Sequence, residues 1–356
     1  MKIAVLGAGN GGCAVAADLS ARGHDVTLIK TSRSIHHDNF QYLLDHQGQI
    51  RISENGEVRH IRIKHLTTDL SELSQAEIVI VYIRTNYHED LIERIVPFIV
   101  DGQVILFNPG YLSTAYMLKH CPAKSITVAE AQSSFIDCRI TEPGLIKIGF
   151  RNVRNPLGIY PGRNLATAQK KLDALGFPLT YLSSVMEAAL HNPNLLVHTV
   201  GAIMSIPRIE NTRGEYVMYH EVFTPSVWNI LEKLDAEKMD VLEAFGFARL
   251  SYLEACKFRN TLDDSEDARA VFFSYAAMST RAKGPERVDS RYITEDVPQG
   301  LVLLESLAKT QNISTPICTA LIELANAALQ RDFRLDGRTP QRLGEQNIEK
   351  ILQDGA

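Results

Sequence analysis

A glycine-rich turn follows the first apolar run of the chain and restricts the fold more than any other feature. Residues 2–6 have the composition of a short strand, and Gly7, Gly9 and Gly12 follow at the spacing G-x-G-x-x-G, at the start of a helical pattern. The first glycine permits a tight turn, the second lets the backbone approach a pyrophosphate, and the third allows close packing of helix on strand. The sequence therefore predicts a doubly wound Rossmann domain that binds a dinucleotide. The expected contacts of this turn are Gly7, Gly9, Asn10, Gly11 and Gly12.

The end of the second predicted strand bears on which dinucleotide is bound. An NAD site usually ends this strand with a carboxylate that binds the adenosine ribose, whereas here Lys30, Thr31, Ser32 and Arg33 follow Ile29. Hydroxyls and cations suit a 2′-phosphate, so we expect Thr31, Ser32 and Arg33 to bind NADP(H), with Lys30 as a further contact. NAD(H) remains the alternative if Lys30 and Arg33 are ordinary solvated charges.

A third strand end carries Arg84 and Thr85, directly after the apolar run 77–83. One interpretation places these two residues against the cofactor near the nicotinamide ribose. The other is an ordinary strand-to-helix turn with Thr85 or Asn86 as the helix N-cap.

The pattern of the chain changes near residue 184. Strand-length apolar runs alternate with helical patterns up to that point, and the run 145–149 is expected to be one of these strands. Beyond it the periodicity is almost entirely helical, and helices are expected at 194–204, 225–244 and 316–329 among others. We therefore predict an α/β plus all-α protein, with a dinucleotide-binding domain at 1–184 and a helical substrate domain at 185–356. The polar tail 336–356 is expected on the surface.

Composition excludes several classes of protein. The 356 residues carry a net charge of −5, which argues against a broad nucleic-acid-binding surface. Apolar stretches are too short for a membrane span, and the N-terminal run is too short for a signal peptide. Five scattered cysteines form no Cys-x-x-Cys pair, which indicates a reducing, cytoplasmic location and no metal site.

Candidate catalytic residues lie in the helical half. His198 is the natural proton-transfer group, although a single histidine among apolar residues is more often part of a core. Asp296 would orient its imidazole, or would simply cap a helix. Arg291, expected on the irregular segment 284–292, suits a substrate carboxylate, or forms a surface ion pair.

Together these motifs resemble the opine dehydrogenase family, the octopine/nopaline dehydrogenase group. The resemblance rests on the glycine turn and on three further stretches over residues 1–330, namely Asn192–His198, Phe223–Val227 with Leu234–Glu237, and Arg291–Asp296. It implies an NAD(P)H-dependent reductive condensation of an amino acid with a 2-oxo acid such as pyruvate, through an imine, which places the chain in amino acid metabolism. It also implies that His198 is catalytic with Asp296 as partner, and that Arg291, Asn194 and Glu130, an acidic position near the cleft, bind substrate.

Two departures from the family pattern affect the site. Thr199 stands where many relatives have proline, and Arg84 stands where the strand-end loop often begins with proline. Arg84 would bind either a cofactor phosphate or an additional substrate carboxylate, so the amino acid partner stays open.

Other functions and an oligomer also remain open. A ketopantoate-reductase-like or 3-hydroxyacid-type dehydrogenase is one alternative, although 192–205 contains no lysine for such chemistry. A non-catalytic NADP-binding sensor is another. A homodimer is also considered, with Trp228 either in an interface or in the core.

Overall fold

The computed structural model describes residues 1–32, 34–278 and 283–354, so Arg33 lies outside the described residues. The chain divides into one compact unit over Met1–Val185 and another over Met186–Asp354. The first is an α/β unit and the second is helical, which confirms the predicted fold class.

Apolar strand-length runs in the first unit form a mainly parallel sheet. Ile78–Val81 and Val104–Phe107 are fully buried strands of Ile, Val, Leu and Phe, as expected where helices cover both faces of a sheet. The strands of this sheet are β1 (Lys2–Leu6), β2 (Asp25–Ile29), β5 (His65–Thr67), β6 (Ile78–Val81), β7 (Val104–Phe107), β8 (Thr127–Ala131), β11 (Asn155–Tyr160) and β12 (Leu179–Tyr181).

The strand order is β12-β11-β8-β7-β6-β1-β2-β5, with β1 between β6 and β2. All neighbouring strands are parallel except β8 and β11, which are antiparallel. This order brings the carboxyl ends of β1, β2 and β6 side by side, where a Rossmann fold binds its ligand. The helices of this unit are α1 (Asn10–Ala21), α2 (His37–Asp45), α3 (His88–Ile95), α4 (Ser113–His120) and α5 (Leu165–Asp173).

A second sheet was missed by the sequence analysis. It has the order β4-β3-β10-β9 and consists of β3 (Gln49–Glu54), β4 (Glu57–Arg62), β9 (Ile136–Glu142) and β10 (Leu145–Arg151). The run 145–149 is thus a strand, as expected, but it pairs with β3 and β9 outside the Rossmann sheet. The cause is the polarity of β4, whose residues are exposed except Ile61, so that it carries no apolar signal.

The second unit consists of helices. Prolines at their first positions start the helices Pro225–Ala244 and Pro316–Leu329. These elements are α6 (Val185–Leu190), α7 (Asn194–Met204), α8 (Ile206–Thr212), α9 (Met218–Glu221), α10 (Pro225–Ala244), α11 (Tyr252–Asn260), α12 (Ala268–Ala276), α13 (Arg291–Thr294), a π-helix (Val297–Leu301), α14 (Val302–Thr310), α15 (Pro316–Leu329), α16 (Pro340–Leu343) and α17 (Glu345–Asp354).

The structure decides the open position of Trp228 and corrects the expected position of the tail. Trp228 is 3% exposed and packs on Phe272 and Phe223, so it belongs to the core of this unit. The tail expected on the surface is partly buried, because Arg338 is fully buried and Ile351 lies on the inner face of α17. Among residues 1–32, 34–278 and 283–354, no helix has the length and apolar character that a membrane span requires.

Candidate active site

The glycine turn has the geometry that close approach of a phosphate requires. Gly7 has φ +107, and a Cβ there would lie 2.3 Å from the carbonyl oxygen of Tyr82. A Cβ on Gly12 would lie 1.8 Å from the carbonyl oxygen of Gly7, and one on Gly11 would strike the Tyr82 ring at 2.7 Å. Gly9 is the extended N-cap residue of α1, whose first turn holds no acidic side chain. The N-terminus of this helix therefore offers its amides and positive dipole end to an anion.

Asn10 has a different contact from the one expected. Its side-chain oxygen accepts a hydrogen bond of 2.8 Å from the backbone N–H of Ile140 in β9. The side chain thus ties the glycine turn to the second sheet, while its backbone forms part of the first turn of α1.

The end of β2 carries a hydrogen-bonded basic residue. Lys30 is 5% exposed, and its ammonium donates to Ser32 Oγ at 3.2 Å and to the carbonyl of Ile35 at 2.5 Å. Burial lowers the pKa of Lys30. Thr31 is half-buried and Ser32 is exposed. This loop therefore presents hydroxyls and a positive charge at the carboxyl edge of the sheet.

His36 lies beside the glycine turn, which the sequence analysis missed. Its ring carbon is 3.4 Å from the position of a Cβ on Gly9. Burial lowers its pKa, and the nearby positive charges of Lys30 and Arg84 lower it further. His36 has a left-handed backbone conformation, with φ +52, and this conformation places it beside the glycine turn. No motif spacing in the sequence indicates such a conformation.

Arg84 and Thr85 lie in the loop after β6. Arg84 is exposed and extended, and it leads into a single 3₁₀ turn at Thr85–Tyr87 before α3. Thr85 is 2% exposed. Of these two residues, Arg84 therefore has the exposed side chain, and Thr85 is buried.

Glu130 takes a structural position in β8. It is fully buried, and its carboxylate accepts hydrogen bonds from the backbone N–H of Leu112 at 2.8 Å and of Thr114 at 2.6 Å. The hydroxyl of Thr114 donates to the same carboxylate at 2.6 Å. These contacts hold the start of α4, so the geometry argues against the substrate contact expected for Glu130.

In the helical unit, the structure brings together two candidates that are 98 residues apart. His198 Nδ1 lies 2.8 Å from Asp296 Oδ2, and the side chains are 12% and 1% exposed. A carboxylate can only accept a hydrogen bond, so Nδ1 carries the proton and Nε2 carries the lone pair. Asp296 precedes the π-helix, and its carboxylate binds the imidazole rather than capping that helix.

Burial sets the charge of this imidazole. It lowers the pKa of His198 below the ordinary 6.5, against the opposing effect of the Asp296 carboxylate. The charge of Arg291 lowers the pKa further, and that of Glu295 raises it. His198 is therefore neutral at neutral pH, which is the state a general base requires.

Arg291 begins α13, so the expected irregular conformation at this residue is wrong. Its Nε lies 3.4 Å from Glu295 Oε2, one helical turn later, while 46% of its side chain is exposed. Asn194 is the first residue of α7, four positions before His198. This spacing places both residues on one face of the helix.

Tyr292, in the same motif as Arg291, contacts the imidazole directly. Its ring stacks on that of His198 with centroids 3.7 Å apart and planes 6° from parallel. The sequence alone did not indicate a role for Tyr292, because no residue spacing marks a side chain that stacks on a distant ring.

Comparisons with known proteins agree with this geometry. A family described as NAD/NADP octopine/nopaline dehydrogenase, alpha-helical domain, matches residues 181–329. The opine dehydrogenase of Arthrobacter sp. (strain 1C) is 28% identical over 347 residues, which cover 96% of this chain and 94% of that protein. Residues 181–329 belong to the octopine/nopaline dehydrogenase family.

Further relatives extend the match to the whole chain. The vitopine synthase of Allorhizobium ampelinum is 24% identical over 363 residues, covering 99% of this chain and 98% of that one. A ketopantoate reductase family matches residues 3–145, the part that holds the glycine turn.

Solved structures of opine dehydrogenases share the fold. Octopine dehydrogenase with NADH and L-arginine has a TM-score of 0.77 at 17% identity, over 99% of this chain and 98% of that one. Yersinopine dehydrogenase with NADP⁺ bound has a TM-score of 0.72 at 16% identity, over 100% and 98%.

Proposed function

We infer that this protein condenses the amino group of an amino acid with a 2-oxo acid and reduces the resulting imine at the expense of NAD(P)H. The product is an N-(1-carboxyalkyl) amino acid. The observation that carries this inference is the 2.8 Å contact between His198 and Asp296 in the helical domain that defines the family. An oxidoreductase that must form a C–N bond needs such a proton-transfer pair.

His198 would take up one proton and later return it in this reaction. Its neutral Nε2 takes a proton from the ammonium of the amino acid, and the free amine then attacks the keto carbon. The imidazolium returns that proton to the hydroxyl of the adduct, which leaves as water and gives a protonated imine. Asp296, 1% exposed, stabilises the imidazolium and keeps the proton on Nδ1.

Arg291 would hold a substrate carboxylate. Its planar guanidinium suits bidentate contact with a carboxylate, and nearly half of the side chain is exposed. Fixing one carboxylate restricts the imine to one orientation. We assign Asn194 to the same substrate group, because it shares the helix face of His198.

The first unit fits a nicotinamide dinucleotide, since the glycines allow a turn too tightly packed for side chains at Gly7, Gly11 or Gly12, and the N-terminus of α1 offers its amides to a pyrophosphate. When bound, this cofactor supplies the hydride that reduces the imine. We propose NADP(H) as the preferred form, with Thr31, Ser32 and Arg33 at the 2′-phosphate. The positive charges of Lys30 and Arg84, and the position of His36, support this preference.

The remaining assignments are also proposals. Residues 1–184 bind the cofactor and 185–356 bind the substrates. Five buried thiols support a reducing, cytoplasmic location. A homodimer stays a prediction.

A coupled assay tests the proposed activity. NADPH oxidation is followed with pyruvate or other 2-oxo acids, with pooled amino acids, and with both together. We expect oxidation only when both substrates are present. Oxidation that needs the 2-oxo acid alone would indicate a 2-oxo acid reductase, and no amine-dependent oxidation with any 2-oxo acid would contradict the proposal.

A further inference from the structure

Two different contacts restrict the orientation of the His198 imidazole. Its Nδ1 donates to Asp296, and one ring face is covered by Tyr292 at a centroid distance of 3.7 Å. A hydrogen bond to one ring nitrogen limits the χ2 torsion but still tolerates a range of ring tilts, because its geometry is broad. A parallel aromatic face removes that freedom, because turning would drive the imidazole edge into the phenol.

The two contacts together determine where Nε2 points. The χ2 torsion of histidine is broad and roughly two-fold, so the side chain itself supplies little directional preference. With the ring plane set by Tyr292 and the tautomer set by Asp296, the lone pair of Nε2 keeps one direction. Proton transfer depends on that direction, since a misplacement of about 1 Å can cost about 10²-fold in rate.

Tyr292 lies on a well-anchored turn. Ile293, the next residue of α13, is fully buried, and Thr294 Oγ1 donates to the carbonyl of Ser290 at 3.0 Å. Helix α13 packs against α7, which carries His198. Helix α13 is therefore fixed against α7, and the phenol ring of Tyr292 extends from an anchored backbone.

The stack also suits the charged form of the imidazole. A cation within about 6 Å of an aromatic centroid is attracted to the ring face. The imidazolium formed during proton transfer would lie at 3.7 Å from that face. Two neutral rings, in contrast, prefer an offset arrangement with centroids about 4.5–7 Å apart.

We propose that Tyr292 is a positioning residue that sets the ring plane of His198 through its aromatic face, independently of its hydroxyl. This rests on the proposed function, in which His198 transfers protons. The hydroxyl is dispensable in this proposal, which makes phenylalanine the conservative replacement.

Three variants test the proposal: Tyr292→Phe, Tyr292→Leu and, as a matched control, Tyr275→Leu. Tyr275 is a half-buried tyrosine of the same unit whose ring contacts Tyr219 edge-on. Thermal unfolding establishes that each variant is folded, and Tyr292→Met replaces Tyr292→Leu if the latter is not. The readouts are kcat, the KM for each substrate and for NADPH, and the ¹⁵N resonances of the His198 ring.

We expect Tyr292→Leu to lower kcat by about 10- to 100-fold with the KM for NADPH within about two-fold of wild type. Its His198 nitrogen resonances should shift or broaden as the ring gains freedom. Tyr292→Phe and Tyr275→Leu should stay within about three-fold of wild type, with the His198 resonances kept.

Two results would overturn the proposal. One is a Tyr292→Leu enzyme with wild-type kcat and unchanged His198 resonances. The other is a Tyr292→Phe enzyme as slow as Tyr292→Leu, which would assign the effect to the hydroxyl. If the wild-type protein shows no amine-dependent activity, the proposed function fails, while the ¹⁵N resonances of the variants still decide whether Tyr292 restrains the ring.

Discussion

Burial and a carboxylate act in opposite directions on His198. Burial lowers the pKa of the imidazole, and hydrogen bonding to Asp296 raises it, with burial the larger effect. In the proposed mechanism neutral His198 is the base, so we expect activity above this depressed pKa and its loss as the pH falls through it.

The charge of Asp296 can be tested through the pH profile. We expect Asp296→Asn to shift the acid limb of kcat/KM to lower pH, because the carboxylate raises the pKa of His198. The variant should also lower kcat by about 10²–10⁴-fold, since the imidazolium loses its counter-charge and the tautomer is no longer fixed. A shift of the limb to higher pH would contradict this electrostatic account.

Removal of the imidazole separates chemistry from cofactor binding. His198→Ala should abolish turnover, while the Kd for NADPH, measured by its fluorescence, changes by less than about two-fold. His65→Ala is a suitable control, because His65 lies on the first unit and pairs at the surface with Asp25. Near-wild-type turnover in His198→Ala would remove this residue from the mechanism.

The proposed preference for NADP(H) can also be tested at single residues. Arg33→Ala should raise the KM for NADPH far more than the KM for NADH, since only NADPH carries the 2′-phosphate. Lys64→Ala removes an exposed cation beside Asp25 and should change neither value. Equal effects of Arg33→Ala on the KM for NADPH and the KM for NADH would show that this residue does not contact the 2′-phosphate.

At the level of secondary-structure elements, a π-helix follows Asp296 directly. The chain supports this π-helix, Val297–Leu301, with Arg338 from its C-terminal segment. The backbone N–H of Arg338 donates to the carbonyl of Pro298 at 3.0 Å, and its Nε donates to Gln299 Oε1 at 2.6 Å. The expected surface tail thus braces the element that carries the partner of His198.

Loss of this brace should destabilise the protein. Arg338 is fully buried, so Arg338→Met leaves Gln299 without that partner and should lower the free energy of unfolding by about 3 kcal/mol, measured in urea. The control is Arg331→Met, which removes an exposed ion pair with Asp336 and should cost less than about 1 kcal/mol. Equal small losses in both variants would contradict a bracing role for Arg338.

Elements with a strong local signal could be predicted from the sequence. The helices Asn194–Met204, Pro225–Ala244 and Pro316–Leu329 have the expected bounds, because apolar periodicity and proline starts mark them. The β3–β4 hairpin could not be found, since β4 is exposed along nearly its whole length. Contacts made through tertiary packing, such as Tyr292 on His198 and His36 beside Gly9, leave no local trace.

For the whole molecule, the predicted resemblance to opine dehydrogenases and the α/β plus all-α architecture are confirmed. Each unit holds one part of the proposed chemistry. The first has the glycine turn with Lys30, and the second has His198 with Asp296. The ketopantoate reductase family model covers residues 3–145, whereas the octopine/nopaline dehydrogenase model covers residues 181–329, which include His198 and Asp296.

The isotopic composition of the product tests the proposed reductive condensation most directly. The protein is incubated with a 2-oxo acid, a ¹⁵N-labelled amino acid mixture, and NADPH that carries deuterium at both C4 positions. We expect a secondary amine that contains the ¹⁵N atom and one deuterium on the former keto carbon. A deuterated 2-hydroxy acid without ¹⁵N as the product would contradict it.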